Sequence, residues 1–139
     1  MEDRKAVVRR FIEDIVSTGQ TDQLSAVIAD DYVDYYSNSS RRGPEVARTH
    51  IEAVRSTYPD LIVKVIEQYC DGDVVISTIR GTATHKGKWL NIEPTNKPIV
   101  IDGVNINRVV EGKIVSHSGF ANTLEALLEI GALPGIGTS

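Results

Sequence analysis

The apolar positions of this chain change period once. From Arg4 to Thr18 they come in pairs, Val7/Val8, Phe11/Ile12 and Ile15/Val16, and steps of four put the pairs on one stripe of a helix. Gly19 supplies a left-handed C-terminal cap. Thr21 caps a second, short helix whose Leu24, Val27 and Ile28 share a face and which Asp30-Asp31 ends. Residues 32–36 predict a short strand, and the polar run from Ser37 to Gly43 a loop. Pro44 sits at the first turn of a third helix with the stripe Val46/Ala47, His50/Ile51 and Val54, broken by Tyr58-Pro59-Asp60. From Leu61 the period is two. Strands are predicted from Leu61 to Tyr69, Val74 to His85, Ile99 to Val110 and Lys113 to Phe120, with Asp71-Gly72 and Glu111-Gly112 as turns. A short stretch, Trp89 to Ile92, stands between punctuating residues. A last helix from Thr123 to Ile130 closes at Gly131, Pro134 prevents its resumption, and the small, polar tail 135–139 is loose.

Helices followed by an antiparallel meander predict an α+β fold, a strongly curved antiparallel sheet wrapped around N-terminal helices with a short C-terminal helix. Such a sheet leaves a cone-shaped cavity, a common ligand site. The 139 residues make one domain, with a core from about residue 4 to 134. The single Cys, Cys70, excludes an internal disulfide and a cysteine-rich zinc site, and the three histidines are too scattered for a metal motif, so neither metal nor cofactor is expected. A net charge of −4 argues against nucleic acid as a partner. The start, Met1-Glu2-Asp3-Arg4-Lys5, does not read as a secretory signal, and no run nears ~18 apolar residues, so no membrane partner and a cytoplasmic location are expected.

Several motifs occur together: Tyr32-Val33-Asp34 after an Asp-Asp, Tyr58-Pro59-Asp60, Asp71-Gly72-Asp73, and the run from Gly81 to Gly87. Glu93-Pro94-Thr95-Asn96-Lys97, Asn107-Arg108, the run from Glu111 to Val115 and the helix from Leu124 to Gly131 follow in order. In this order and spacing they resemble the SnoaL-like polyketide cyclase and ester cyclase family, of the nuclear-transport-factor-2-like fold, over about residues 4 to 134. The resemblance implies a conical α+β barrel, a mostly apolar pocket, and a homodimer through the outer face of the sheet. It also implies an acid/base Asp just after the last strand that closes a ring without metal or cofactor. A carboxylate in a dry pocket can take a proton from an activated C–H, and polar neighbours can hold the enolate oxygen. The position matching that Asp is Asn122, which cannot be a general base. Asn107 stands at or beside the position of a family His, and Tyr35 replaces a His common near the end of the first strand.

Asn122, Asn107 and Asn105 make the sharpest constellation. Asn105 and Asn107 share a strand face and are poor strand formers, which points to a pocket, whereas Asn122 is equally a helix N-cap. His85 is the candidate proton carrier, or else a rim histidine before a turn. His117 is a second candidate, unless it faces away from the pocket toward a dimer partner. His50, on an apolar helix stripe, reads as a core or pocket-lining side chain. Trp89 is either a contact for an apolar ring at the pocket mouth or a plug in a dimer interface. Among Tyr32, Tyr35 and Tyr36 at least one faces inward. Asp60 reads as a turn cap. Asp34 stands near the base of steroid-isomerase relatives, although the aligned position falls nearer Tyr36. Asp102 and Arg108 lie opposite the Asn pair.

The leading expectation is a cofactor-independent enzyme of cyclase or isomerase type, acting by acid/base chemistry on a small apolar or polycyclic, polyketide-like ligand that bears a carbonyl. Asn122, His85 and Asn107 would act in catalysis, and Asn105, Tyr35, Trp89 and His117 in substrate binding. The alternatives are a non-catalytic binder, with an open cavity but no ionisable group in it, and a dimerisation module whose pocket is filled by its own side chains.

Overall fold

The computed structural model describes residues 3–35 and 40–133. The expectations for Tyr36, for loop positions 37–39, and for Pro134 and the tail 135–139 concern residues outside this set. Helix α1 spans Arg4–Arg9, with the Asp3 carboxylate accepting the Lys5 amide N–H, and continues over Arg10–Val16 as a wider helix with i→i+5 bonds. The apolar pairs explain the change. A strict step of four overruns the ~3.6 residues of an α-turn, so a regular helix would rotate its stripe off the core. The widened turn keeps Phe11, Ile12 and Ile15 buried beneath Val7 and Val8.

After a 3-10 turn at Thr21–Gln23, α2 is only Leu24–Val27, and strand β1 runs Ile28–Asp34. This corrects two boundaries. Ile28 belongs to the strand, and Asp30-Asp31 lie inside it at exposed positions rather than ending a helix. Helix α3 spans Pro44–Thr57 as predicted. Strands β2 (Ile62–Asp71), β3 (Val74–Thr84), β4 (Pro98–Val110) and β5 (Lys113–Ala121) form the meander, and α4 (Thr123–Glu129) closes the described chain. Gly72 and the pair Glu111-Gly112 have positive φ, as tight hairpins require.

The sheet order is β1-β5-β4-β3-β2. β2 to β5 are antiparallel, but β1 runs parallel to β5, so the sheet is mixed, which corrects the expectation of a wholly antiparallel one. It is curved and not closed, an open cone with β1 and β2 as edges. The wide helix covers the β2 edge. Glu13 Oε2 accepts the Val65 N–H at 2.9 Å, and Ser17 Oγ accepts from Val63 N and donates to its carbonyl at 2.6 and 2.8 Å. Backbone groups that could template another strand are thereby occupied.

Two glycines set close approaches. Gly119 has φ +157°, and a Cβ there would fall 2.1 Å from the Val104 carbonyl oxygen, so β5 can close on β4 only with glycine at this point. Gly87 donates its N–H to the Thr57 carbonyl at 2.9 Å, and its Cβ would meet the Ser56 carbonyl at 2.0 Å. The segment that carries Trp89 is thus pressed onto the end of α3.

Candidate active site

Three strands build one row of the concave face. Asp34 on β1 is level with His117 on β5, and His117 is level with Asn107 on β4. All three are buried. Two residues back along β4, on the same face, Asn105 stands opposite Gly119. Helix α3 packs on β1 and brings His50 to the same place, with its Nδ1 3.3 Å from Asp34 Oδ2.

This cluster borders a cavity of about 430 Å³ with mostly apolar walls, into which Tyr32, His50, Asn105 and His117 are set, with Trp89 on the loop side. Burial penalises the charged imidazole and lowers the His117 pKa to about 4; the Asp34 carboxylate opposes the shift and His50 adds to it. Burial, and secondly the Asp34 charge, push the Tyr32 phenol far above its ordinary value, so it stays a neutral hydroxyl. The arrangement therefore sets a carboxylate beside an imidazole, with neutral donors, at a cavity with mostly apolar walls. Among the described residues no group of three or more His, Cys, Asp or Glu could hold a metal ion.

The candidates from the sequence separate. Asn105, His117 and Trp89 line the cavity. His117 does not face a dimer side; it shares the inner face with Asn107, and Ser118 takes the outer position level with Ile106. Asn107 lies behind His117, with its Nδ2 3.1 Å from His117 Nδ1. Tyr35 does not line this cavity. It follows the end of β1, is 68% exposed, and it is Tyr32 that alternation turns inward.

His85 is not a rim residue. It is fully buried outside the cavity lining, beside the Tyr58 ring. Its backbone bonds Lys97 and Asn96, and its Nδ1 accepts the Thr95 N–H at 3.3 Å, so it anchors the loop behind Trp89.

Asn122 also stays out of the lining, although Ala121 and Thr123 belong to it. It occupies the N-cap position of α4 without making the cap bond. Instead its Oδ1 accepts the Asp102 N–H at 2.9 Å while its own N–H donates to the Asp102 carbonyl at 2.9 Å, extending the β4–β5 ladder by one step. Asn122→Ala is expected to lower stability by about 1–2 kcal/mol, since the Asp102 N–H loses its acceptor, whereas Asn122→Asp keeps an acceptor and costs less. Denaturant titration of the two variants checks this.

Away from the cavity, Asp60 accepts the N–H and the hydroxyl of Thr84, each at 2.8 Å, and these bonds hold its carboxyl below the usual range. Asp102 pairs with Arg80, and Arg108 with Asp73, on the exposed side of the sheet.

Asp34 and His50 join the site although neither is among the site residues that the sequence predicts. Two signals were present: a carboxylate two residues after an inward Tyr, and a histidine on an otherwise apolar helix stripe. Only the fold makes them neighbours.

A half-open sheet curled over helices, with polar groups set in an apolar cavity, defines an α+β fold of the nuclear-transport-factor-2-like kind. The family model described as SnoaL-like polyketide cyclase matches residues 6–130, and the chain belongs to that family. Comparison with curated proteins finds no match. Similar solved structures include TsrD from Streptomyces laurentii, 20% identical with a TM-score of 0.83, covering 96% of this chain and 100% of that one. IdmH from Streptomyces antibioticus, a candidate polyketide cyclase, is 20% identical with a TM-score of 0.82 over 94% of this chain and 99% of that one. AclR from Streptomyces galilaeus, a candidate hydroxylase, is 25% identical with a TM-score of 0.80, over 96% and 87%.

Proposed function

We propose that this protein is a cofactor-independent acid/base enzyme acting on a small apolar ketone of polyketide type, with His50 as general base and Asp34 as its orienting carboxylate. The observation that carries the reading is the 3.3 Å approach of His50 Nδ1, on the cavity wall, to the buried carboxylate of Asp34 outside the lining. A carboxylate facing Nδ1 favours the tautomer with the proton there, which makes Nε2 the basic nitrogen. Asn105, Tyr32 and His117 supply neutral donors for an enolate oxygen, and Trp89 offers an apolar face to a ring. In this reading the acid/base role stands at Asp34 and His50, and position 122, where the resemblance implies the family's Asp, serves the ladder.

The step is loss of a proton from the carbon beside a carbonyl to His50 Nε2. This gives an enolate and an imidazolium, and the proton then returns to the same or another carbon. Its simplest readout is exchange of the α-protons of 2-tetralone, an apolar bicyclic ketone, in D2O near neutral pH. Saturable acceleration over buffer is expected. Binding of 2-tetralone with exchange at the buffer rate would favour the non-catalytic binder. The open cavity speaks against the reading as a dimerisation module with a self-filled pocket.

We further propose a homodimer through the outer sheet face. Ile76, Val104 and Ile106 stand exposed there on adjacent strands, Ile76 level with Ile106. The double substitution Val104→Glu, Ile106→Glu is expected to turn a dimer into a monomer in light scattering. A wild-type protein that is monomeric at high concentration would contradict this.

A further inference from the structure

Asn107 is buried and does not line the cavity, yet it is bonded to a residue that does. Its Nδ2 lies 3.3 Å from the Ser116 carbonyl oxygen and 3.1 Å from His117 Nδ1. The carbonyl fixes which way the amide points. The reverse orientation would set Oδ1 against the Ser116 oxygen, acceptor against acceptor, and leave both N–H groups without a carbonyl to meet. With Nδ2 in place, an amide N–H donates to His117 Nδ1, so that nitrogen must carry a lone pair. The single ring proton of a neutral imidazole then sits on Nε2.

We propose that Asn107 is a positioning residue that locks His117 in its neutral Nε2–H tautomer, so that His117 serves the cavity as a hydrogen-bond donor to a ligand carbonyl oxygen and not as a second base. The donor role rests on the enzyme reading given above; the tautomer lock does not. Two histidines on one cavity would then have opposite duties. The Asp34 carboxylate, 3.3 Å from His50 Nδ1, favours a proton on that nitrogen and leaves the lone pair on Nε2, while Asn107 donates to His117 Nδ1 and leaves the proton on Nε2. Burial supports the same division, because it keeps His117 uncharged near neutral pH even with Asp34 level with it on β1. Among the described residues, the groups that act on His117 include Asp34 on β1, His50 on α3 and the amide of Asn107 on β4. A neutral N–H donor in such a site polarises a carbonyl without having to lose a proton. The Asn107 Oδ1, buried without a hydrogen bond among the described residues, is the cost of this arrangement.

The test is the long-range 1H–15N spectrum of the histidine rings in the intact protein. Between pH 5 and 8, His117 is expected to give the pattern of an Nε2-protonated neutral ring throughout. An Nδ1-protonated ring, or an imidazolium at pH 6, would overturn the lock. In Asn107→Asp the new carboxylate accepts where the amide donated. The variant is expected to move the ring proton to Nδ1 and raise the His117 midpoint by at least one pH unit, changes that a purely packing role would not produce. Should that variant fail to fold, the wild-type spectrum alone decides. Adding 2-tetralone is expected to move the His117 Nε2–H signal downfield. A His117 signal that stays still while Trp89 responds would overturn the donor role. The expected tautomer together with a failed exchange assay would sink the enzyme reading and leave the lock standing.

Discussion

Acidifying the protein from pH 7 to pH 4 is expected to remove about 3 kcal/mol of folding stability through His117 alone. The unfolded chain binds a proton at this residue near pH 6.5, while the folded chain refuses it until about pH 4, because burial outweighs the attraction of Asp34. Above pH 6.5 both states are neutral and the residue costs nothing. Between pH 6.5 and 4 the unfolded state carries more protons, so stability falls as pH falls. Below about 4 both states are protonated and the slope from this residue vanishes. Asp60 and Asp102, both held below their usual 3.8 by hydrogen bonds to Thr84 and Arg80, add a separate loss that begins only as pH drops below that value. The two windows are therefore distinct. His117→Gln, which cannot titrate, is expected to flatten the stability curve between pH 7 and 4 and leave the lower limb in place. Urea titrations at half-unit pH steps read this directly, and equal slopes in the two proteins would contradict it.

Replacing His50 by Ala is expected to slow 2-tetralone exchange by about 10²–10⁴-fold, the usual contribution of a positioned general base. Its side chain is partly exposed at the cavity, so the fold is expected to survive. Asp34→Asn should act through His50. An amide can donate to Nδ1, which would favour the opposite tautomer and take the lone pair off Nε2. The expected result is a fall in kcat with little change in KM, since Asp34 touches His50 and not the ligand. A change confined to KM would make Asp34 a binding residue.

The strands and their turns were readable because alternation and glycine-bearing dipeptides are local signals. Asp71-Gly72 and Glu111-Gly112 announce hairpins whatever the rest of the chain does. The first strand was misplaced because its partner lies at the far end of the sequence. Asp30-Asp31 look like a terminator until β5 is there to pair with Ile28–Asp34. The wide helix follows from the repeat of four in its apolar pairs, a spacing that an ordinary amphipathic helix also shows over so short a stretch.

The site was half legible for the same reason. Asn105 and Asn107 could be placed on one face by alternation within a single strand. Asp34 and His50 belong to elements joined only by the curl of the sheet, and nothing in their local sequence places one near the other. His85 resembled a rim histidine because it ends a strand before Lys86-Gly87. The docking of Gly87 on Thr57, which carries that loop inward, is a tertiary event. Asn122 drew attention because the resemblance puts an Asp there; in this chain its side chain completes a ladder bond to Asp102.

The central claim is that proton transfer belongs to His50 and Asp34 and not to position 122. The measurement that tests it most directly is the 2-tetralone exchange rate of His50→Ala beside that of Asn122→Ala, under conditions where both are folded. The expected result is exchange near the buffer rate for the first and near the wild-type rate for the second. Exchange that survives in His50→Ala and disappears in Asn122→Ala would contradict the account.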